Sequence, residues 1–154
     1  KKSSGEYTAK PTKTGKAVVS LYAKLNGKRT KMGEMEFRVK EVPPPKPYVE
    51  FTSQDGKFID KNRMVAAGGI LAKLEDFDFK GIRYVITAFK MAGIYQGEQQ
   101  TAETKGMKFT KKMEGIIKNT KSGNTITIYD IKARRTDAKN TKEHTLYPLV
   151  LQIK

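Results

Sequence analysis

A run of prolines constrains the architecture of this chain more than any other feature. Four of its six prolines fall between residues 43 and 47. Proline fixes φ and removes an amide donor, so such a run favours a stiff, extended polyproline II segment. We therefore predict an incomplete β domain at residues 1–42, a Pro-rich linker at 43–47 and a C-terminal β-rich domain at 48–154.

The first domain has the sequence pattern of a β-hairpin. Apolar side chains alternate along residues 17–25 and again along residues 35–39, which is the period of a half-buried strand. Asn26 and Gly27 between them tolerate the positive φ angles of a type I′ turn. Because an isolated two-stranded hairpin is at best marginally stable in water, we expect the missing strands to come from upstream chain or from a partner subunit.

The second domain has the pattern of a larger sheet. Apolar side chains occur at both even and odd positions of residues 82–91. A strand with apolar residues on both faces is typical of the centre of a sheet. Further strands are predicted at residues 48–52, at 126–133 and at 146–153. Pro148 cannot donate to a ladder, so it implies that the closing strand lies at an edge or contains a bulge.

One short helix is predicted in the second domain. Thr110 is a favourable N-cap, and Met113, Ile116 and Ile117 follow at helical spacing before the turn residues around Gly123. The predicted fold class is therefore mainly β, with two small β-sandwich or Ig-like domains in tandem and one short helix in the second.

The pair Gly68-Gly69 invites two interpretations. A phosphate-binding loop would need a following Lys-Ser or Lys-Thr, which this sequence lacks. Glycines within an apolar run more often mark a bulge or a close approach of backbone. We therefore expect a structural role for both.

The net charge of +15 suggests a polyanion as one class of partner. The charge is spread over both predicted domains, however, and 25 of the 31 basic residues are lysine. Readout of nucleic acid favours arginine forks with aromatic stacking, so no nucleic-acid partner is expected. A polyanion-binding β module, for nucleic acid or lipopolysaccharide, stays open as the alternative function.

Nothing in the sequence indicates an enzyme. Cysteine is absent and His144 is the single histidine, so neither a thiolate nucleophile nor a Cys/His metal site can be assembled. No Gly-x-Ser-x-Gly elbow occurs. We predict no catalytic residue, no metal site and no cofactor.

The polar stretch from Lys132 to His144 is the strongest candidate for a binding site. It is predicted as a long hairpin connection, and binding residues are concentrated in such loops. We assign protein binding to Lys132, Arg134, Arg135 and Asp137. A loop that is merely solvated is the alternative.

Localisation is not encoded in any obvious segment. No apolar run approaches the roughly 18 residues of a membrane-spanning helix, and residues 1–5 do not lead into a signal core. The chain also lacks an initiator methionine, so we expect a fragment of a longer protein whose targeting segment lies upstream.

Several motifs, taken in order, resemble the C-terminal part of the GldM/PorM family, the stalk protein of the type IX secretion and gliding motor. The resemblance spans about residues 16–154 and rests on Phe37 to Lys40 with the following prolines, Ala67 to Ile70, Leu74 to Phe79, Tyr84 to Phe89, and Ile131 to Ala133. It implies a non-catalytic periplasmic homodimer, anchored in the inner membrane by an upstream helix. It also implies an inner-membrane motor partner and contact with the outer-membrane-associated ring proteins.

Overall fold

The computed structural model is mainly β and is built from open sheets, which confirms the fold class expected from the sequence. The chain divides into two compact units, Lys1–Pro43 and Pro44–Lys154. The structure describes residues 7–52, 57–75, 81–137 and 142–154.

The first unit contains the predicted hairpin. Strands β1 (Gly15–Leu25) and β2 (Lys28–Val39) pair antiparallel. Asn26 and Gly27 form the turn with φ values of 49° and 79°, the positive pair that a type I′ turn requires. A register shift follows Leu21, so the hairpin carries a bulge near its turn.

No described residue of the first unit is buried. Val19 lies opposite Met35 and Ala17 opposite Phe37, so these side chains share one face of the hairpin. Met35 is 63% exposed and Phe37 is 49% exposed. The apolar face that the sequence predicts is present, and the described residues of this unit do not cover it.

The second unit is organised around one large sheet. In spatial order its strands are β4, β10, β8, β6 and β7, with β9 paired to β8. A separate two-stranded sheet joins β3 to β5. The elements of this unit are β3 (Lys46–Tyr48), β4 (Phe58–Ile59), α1 (Lys61–Ala67), β5 (Leu71–Lys73), β6 (Tyr84–Tyr95), β7 (Glu98–Lys105), α2 (Lys111–Asn119), β8 (Thr125–Arg135), β9 (His144–Thr145) and β10 (Leu149–Ile153).

The core lies between the large sheet and the two helices. Helix α2 contacts β6 and β7, α1 contacts α2, and β5 contacts β6. The buried core consists of apolar side chains from both helices, the large sheet and the adjoining loops, including Met64, Ile70, Phe89, Met91, Met113, Ile117, Ile126, Ile128, Ile131 and Ile153. The other face of the large sheet, called the outer face below, carries the residues that alternate with these core positions.

Helix α2 matches the sequence prediction closely. Thr110 Oγ1 accepts a hydrogen bond from the Met113 amide at 3.3 Å, and Met113, Ile116 and Ile117 are the buried residues of the helix. The predicted central strand is also confirmed, because β6 pairs with β7 on one side and with β8 on the other.

The prediction of one helix in this domain is wrong. Helix α1 spans only seven residues and buries one side chain, Met64. A helix this short shows no repeat of apolar residues at helical spacing by which the sequence could predict it. Asp60 caps it by accepting from the amides of Asn62 and Arg63 at 2.8 and 3.1 Å. Gly68 ends the helix in the left-handed conformation, with φ at 68°, as a C-terminal glycine commonly does.

Gly69 confirms the expectation of a close backbone approach. A Cβ at this position would lie 2.1 Å from the carbonyl oxygen of Met107. Gly69 forms an isolated bridge with Lys108, and the amide of Ile70 donates to the Met107 oxygen at 2.9 Å. Only glycine lets these two backbone segments come so close.

Two strand predictions need correction. The strand predicted at 48–52 ends at Tyr48, because the chain turns next and Phe51 adopts a φ of 65°. Lys46 and Pro47, at the end of the predicted linker, lie in β3. The closing strand begins after Pro148 and is flanked by β8 and β4, so it is not an edge strand of the described sheet. Residues 76–79 of the Leu74–Phe79 motif lie outside the described residues.

Candidate protein-binding surface

Three of the four residues predicted to bind protein lie in a strand and not in the expected loop. Lys132, Arg134 and Arg135 lie in β8, and Asp137 follows two residues after its end. Strand β8 continues further than expected because Tyr84, Val85 and Ile86 of β6 pair with residues 133–135. A neighbouring strand far away in sequence therefore extends the ladder into the polar stretch.

Arg135 and Asp137 bind each other. The Arg135 guanidinium donates from Nε to Asp137 Oδ1 at 3.0 Å and from Nη2 to Oδ2. Their side chains are only 25% and 21% exposed. The hydrogen bond from Arg135 lowers the pKa of Asp137, and the same bond raises the pKa of Arg135. This fork holds the end of β8, and neither partner is presented freely for docking.

Tyr84 lies beside this fork at the start of β6. Partial burial raises the pKa of its hydroxyl, against the opposing effect of the Arg135 charge. Its ring meets the His144 ring edge-on, with centroids 5.9 Å apart. His144 is therefore packed as an aromatic side chain at this end of the sheet.

Lys132 and Arg134 lie on the outer face of the sheet. Both are exposed, whereas Ile131, which precedes Lys132, and Ala133, which lies between the two, are fully buried. Alternation along a strand places Arg135 on the same side as Ala133, away from Arg134. The sequence-predicted group is thus divided, with two of its residues on one face of the sheet and Arg135 on the other.

Two irregularities face each other on β6 and β8. The pairing of these strands shifts register between Ile86 and Ala88 and again between Ala88 and Lys90. On β8, Asp130 has a φ of 50°, a conformation uncommon for residues other than glycine. Bulges of this kind redirect side chains and are frequent beside binding sites.

A depression of about 540 Å³ lies at the paired bulges. Ala88 is one of its lining residues, and it pairs with Lys105 of β7 on one side and with Lys132 of β8 on the other. The depression is lined by Ala88, Phe89, Lys90, Glu103, Thr104, Lys105, Asp130, Lys132 and Thr145.

The charged groups around the depression are partly paired. Lys90 Nζ lies 2.8 Å from Asp130 Oδ2, and this hydrogen bond raises the pKa of Lys90. Lys132 Nζ lies 3.7 Å from Glu143 Oε2, while Glu143 Oε1 accepts from Thr87 Oγ1 at 2.6 Å. The depression therefore carries side chains of both charge signs.

Sequence reasoning missed Lys90, Lys105, Glu103 and Asp130. A signal for the bulge was nevertheless present in the sequence. The buried positions of β8 are Ile126 and Ile128, then Ile131 and Ala133, so the parity of the apolar residues changes at Asp130. Such a change indicates an inserted residue, because a regular strand keeps one parity on each face.

The described residues contain no group of three or more His, Asp or Glu side chains that could hold a metal ion. Within the same part of the chain, no helix is long and apolar enough to cross a membrane.

Comparison with known families identifies both units. Residues 1–40 match the model described as GldM third domain, and residues 43–154 match the GldM C-terminal domain. No curated protein matches the chain. The GldM family is a structural motor component and not a known enzyme family; its members are membrane-anchored, with a periplasmic C-terminal region. Since the second match alone covers more than half of the sequence, this chain belongs to the GldM family and to the type IX secretion and gliding motor.

Proposed function

We propose that this chain is the C-terminal part of a non-catalytic periplasmic stalk. The stalk links a proton-driven complex of the inner membrane to the ring associated with the outer membrane. Membership of the GldM family supports this role. The observation that carries it is the contrast between a hairpin with an uncovered apolar face and a packed unit whose outer face holds a depression lined by charged side chains.

The hairpin supports assembly as a homodimer. Leu21, Met35 and Phe37 lie on one face and are 62%, 63% and 49% exposed. Exposed apolar surface of this kind is stabilised when a second sheet covers it. In this proposal a second copy of the chain supplies at least part of that cover.

Sedimentation equilibrium tests the dimer. We expect the chain to be dimeric and Phe37→Asp to shift it toward monomer, because a carboxylate would have to be buried in the shared face. Lys24→Asp, on the opposite face of β1, is the control and should leave the mass unchanged. A folded monomer at every accessible concentration would contradict the proposal.

Affinity capture from solubilised envelopes tests the stalk role. With the chain as bait, we expect ring components of the secretion machine to remain bound through a high-salt wash. The readout is mass spectrometry of low-salt and high-salt eluates. Absence of ring components from both eluates would contradict the proposal.

A polyanion-binding module is the second candidate, favoured by the net charge of +15. Neutralised phosphates release counterions, so binding of this type weakens steeply with salt. Titration of a labelled DNA duplex and of lipopolysaccharide at increasing salt measures that slope. Tight, salt-sensitive binding of either probe, with no ring component captured, would favour this candidate.

A further inference from the structure

We infer that the depression on the outer face of the sheet binds a carboxylate-bearing segment of the partner protein. This inference rests on the proposed docking function and names the surface that performs it. It keeps Lys132 from the predicted binding group and moves the docking site from a loop to the face of the sheet.

The arrangement of side chains around Ala88 carries the inference. Lys105 and Lys132 flank Ala88 from the two neighbouring strands. Adjacent strands lie about 4.8 Å apart, so the two lysines stand roughly 10 Å apart across a small side chain. A carboxylate placed over Ala88 can accept from both ammonium groups, and a larger residue at this position would fill the space.

The pairing of the charges leaves cations available. Within the described residues, Lys105 and Arg134 have no ion-pair partner, and the Lys132–Glu143 separation of 3.7 Å is at the long end for an ion pair. Lys132 also keeps half of its side chain exposed. A carboxylate of the partner therefore meets ammonium groups whose backbone is already held in strands. These groups give up no ion pair, or only a long one, when they bind it.

The acidic groups nearby select against a uniform polyanion. Glu103 lies directly across from Lys90 in the ladder, and Asp130 holds the Lys90 ammonium at 2.8 Å. A nucleic acid or lipopolysaccharide would bring phosphates against these carboxylates, which costs free energy. A protein segment can instead place one acidic side chain over Ala88 and a neutral or basic group beside Glu103.

Site-specific photo-crosslinking in cells that make the full-length protein tests the inference. A benzoylphenylalanine at Thr145, on the rim of the depression, should crosslink to a segment of another envelope protein with more acidic than basic residues. The same probe at Lys121, in the turn after α2, is the positional control. Mass spectrometry of the crosslinked peptides identifies the partner segment.

Charge reversal and blocking separate the lysine pair from general electrostatics. Lys105→Glu with Lys132→Glu should lower the Thr145 crosslink at least about tenfold, since each reversal places like charges together. Ala88→Tyr should lower it as well without changing the charge. Arg63→Glu with Lys121→Glu, an equal change of charge at exposed positions outside the outer face, should leave the yield unchanged, and circular dichroism verifies that each variant is folded.

The outcomes distinguish this inference from the proposed function. An undiminished crosslink in the lysine and Ala88 variants would overturn the inference, as would crosslinks to nucleic acid, to a basic segment or to a second copy of this chain. If neither Thr145 nor Lys121 crosslinks to any envelope protein, the proposed docking function itself fails. A partner found at Lys121 alone would keep the function and move the docking surface.

Discussion

The two units of this chain both contain antiparallel strands but differ in how much of their apolar surface is buried. The hairpin unit has paired strands, a well-formed turn and no buried described residue, whereas the C-terminal unit buries side chains from its large sheet and both helices. Pairing two strands satisfies backbone groups along one edge of each strand only. A stable unit also needs a second layer, and the described residues provide that layer for residues 44–154 alone.

Replacing a phenylalanine in each unit should give the largest contrast. Phe89 is 1% exposed and meets the Phe109 ring edge-on, so Phe89→Ala should lower the free energy of unfolding by about 3 to 5 kcal/mol. Phe37→Ala at high dilution should change it by no more than about 0.5 kcal/mol. Urea denaturation measures both.

The concentration dependence of the Phe37 variant sharpens this comparison. If a second copy covers the hairpin, the cost of Phe37→Ala should grow with protein concentration, since assembly stabilises the folded state by mass action. A large cost that is independent of concentration would show that the hairpin is already covered within one chain. The contrast between the two units would then be lost.

Adding a methyl group to a glycine in each unit should give an intermediate effect. A Cβ on Gly93 of β6 would lie 2.6 Å from Ile116 Cγ2 and 3.0 Å from Thr120 Oγ1. Gly93→Ala should therefore force α2 away from the sheet and cost about 1 to 3 kcal/mol. Gly33→Ala in β2 meets no atom within 4 Å and should change stability by no more than about 0.5 kcal/mol. Equal melting temperatures for the two variants would contradict the close packing of α2 on β6.

Removing one carboxylate from each unit should give the smallest effect. Arg135 lowers the pKa of Asp137, so the charged carboxylate stabilises the fold above the unfolded pKa of about 3.9. This stability is lost as the pH falls through the lowered folded value. Asp137→Asn should cost about 1 kcal/mol at neutral pH, and the difference from the unchanged chain should shrink in acid. Thermal unfolding across this pH range measures it.

Glu34 provides the matched carboxylate in the hairpin. Its pKa is lowered by Lys31 and then by Ser20, but the pair is open to water and is therefore screened. Glu34→Gln should leave the unfolding midpoint unchanged at every pH. A pH-dependent loss as large as that of Asp137→Asn would mean that this part of β2 is buried in solution.

Local signals predicted much of the fold. The Asn26-Gly27 turn and the Thr110 cap were correct because each depends on residues close together in sequence. Helix α1 was missed, although Asp60 and Gly68 are a favourable cap and terminator, because so short a helix shows no apolar repeat. The strand at 48–52 was wrong because its length depended on pairing with β5, which no local pattern encodes.

The candidate site depends on both local sequence and tertiary structure. The sequence by itself determined the two strand-rich regions, the type I′ turn and helix α2. Only the tertiary structure decided that β7 and β8 flank β6, which brings Lys105 and Lys132 to either side of Ala88. It also decided that Arg135 is occupied by Asp137 while Lys132 faces outward. The physical reason is that alternation fixes which residues share a face of one strand, whereas the choice of neighbouring strand is made by burial of the whole core.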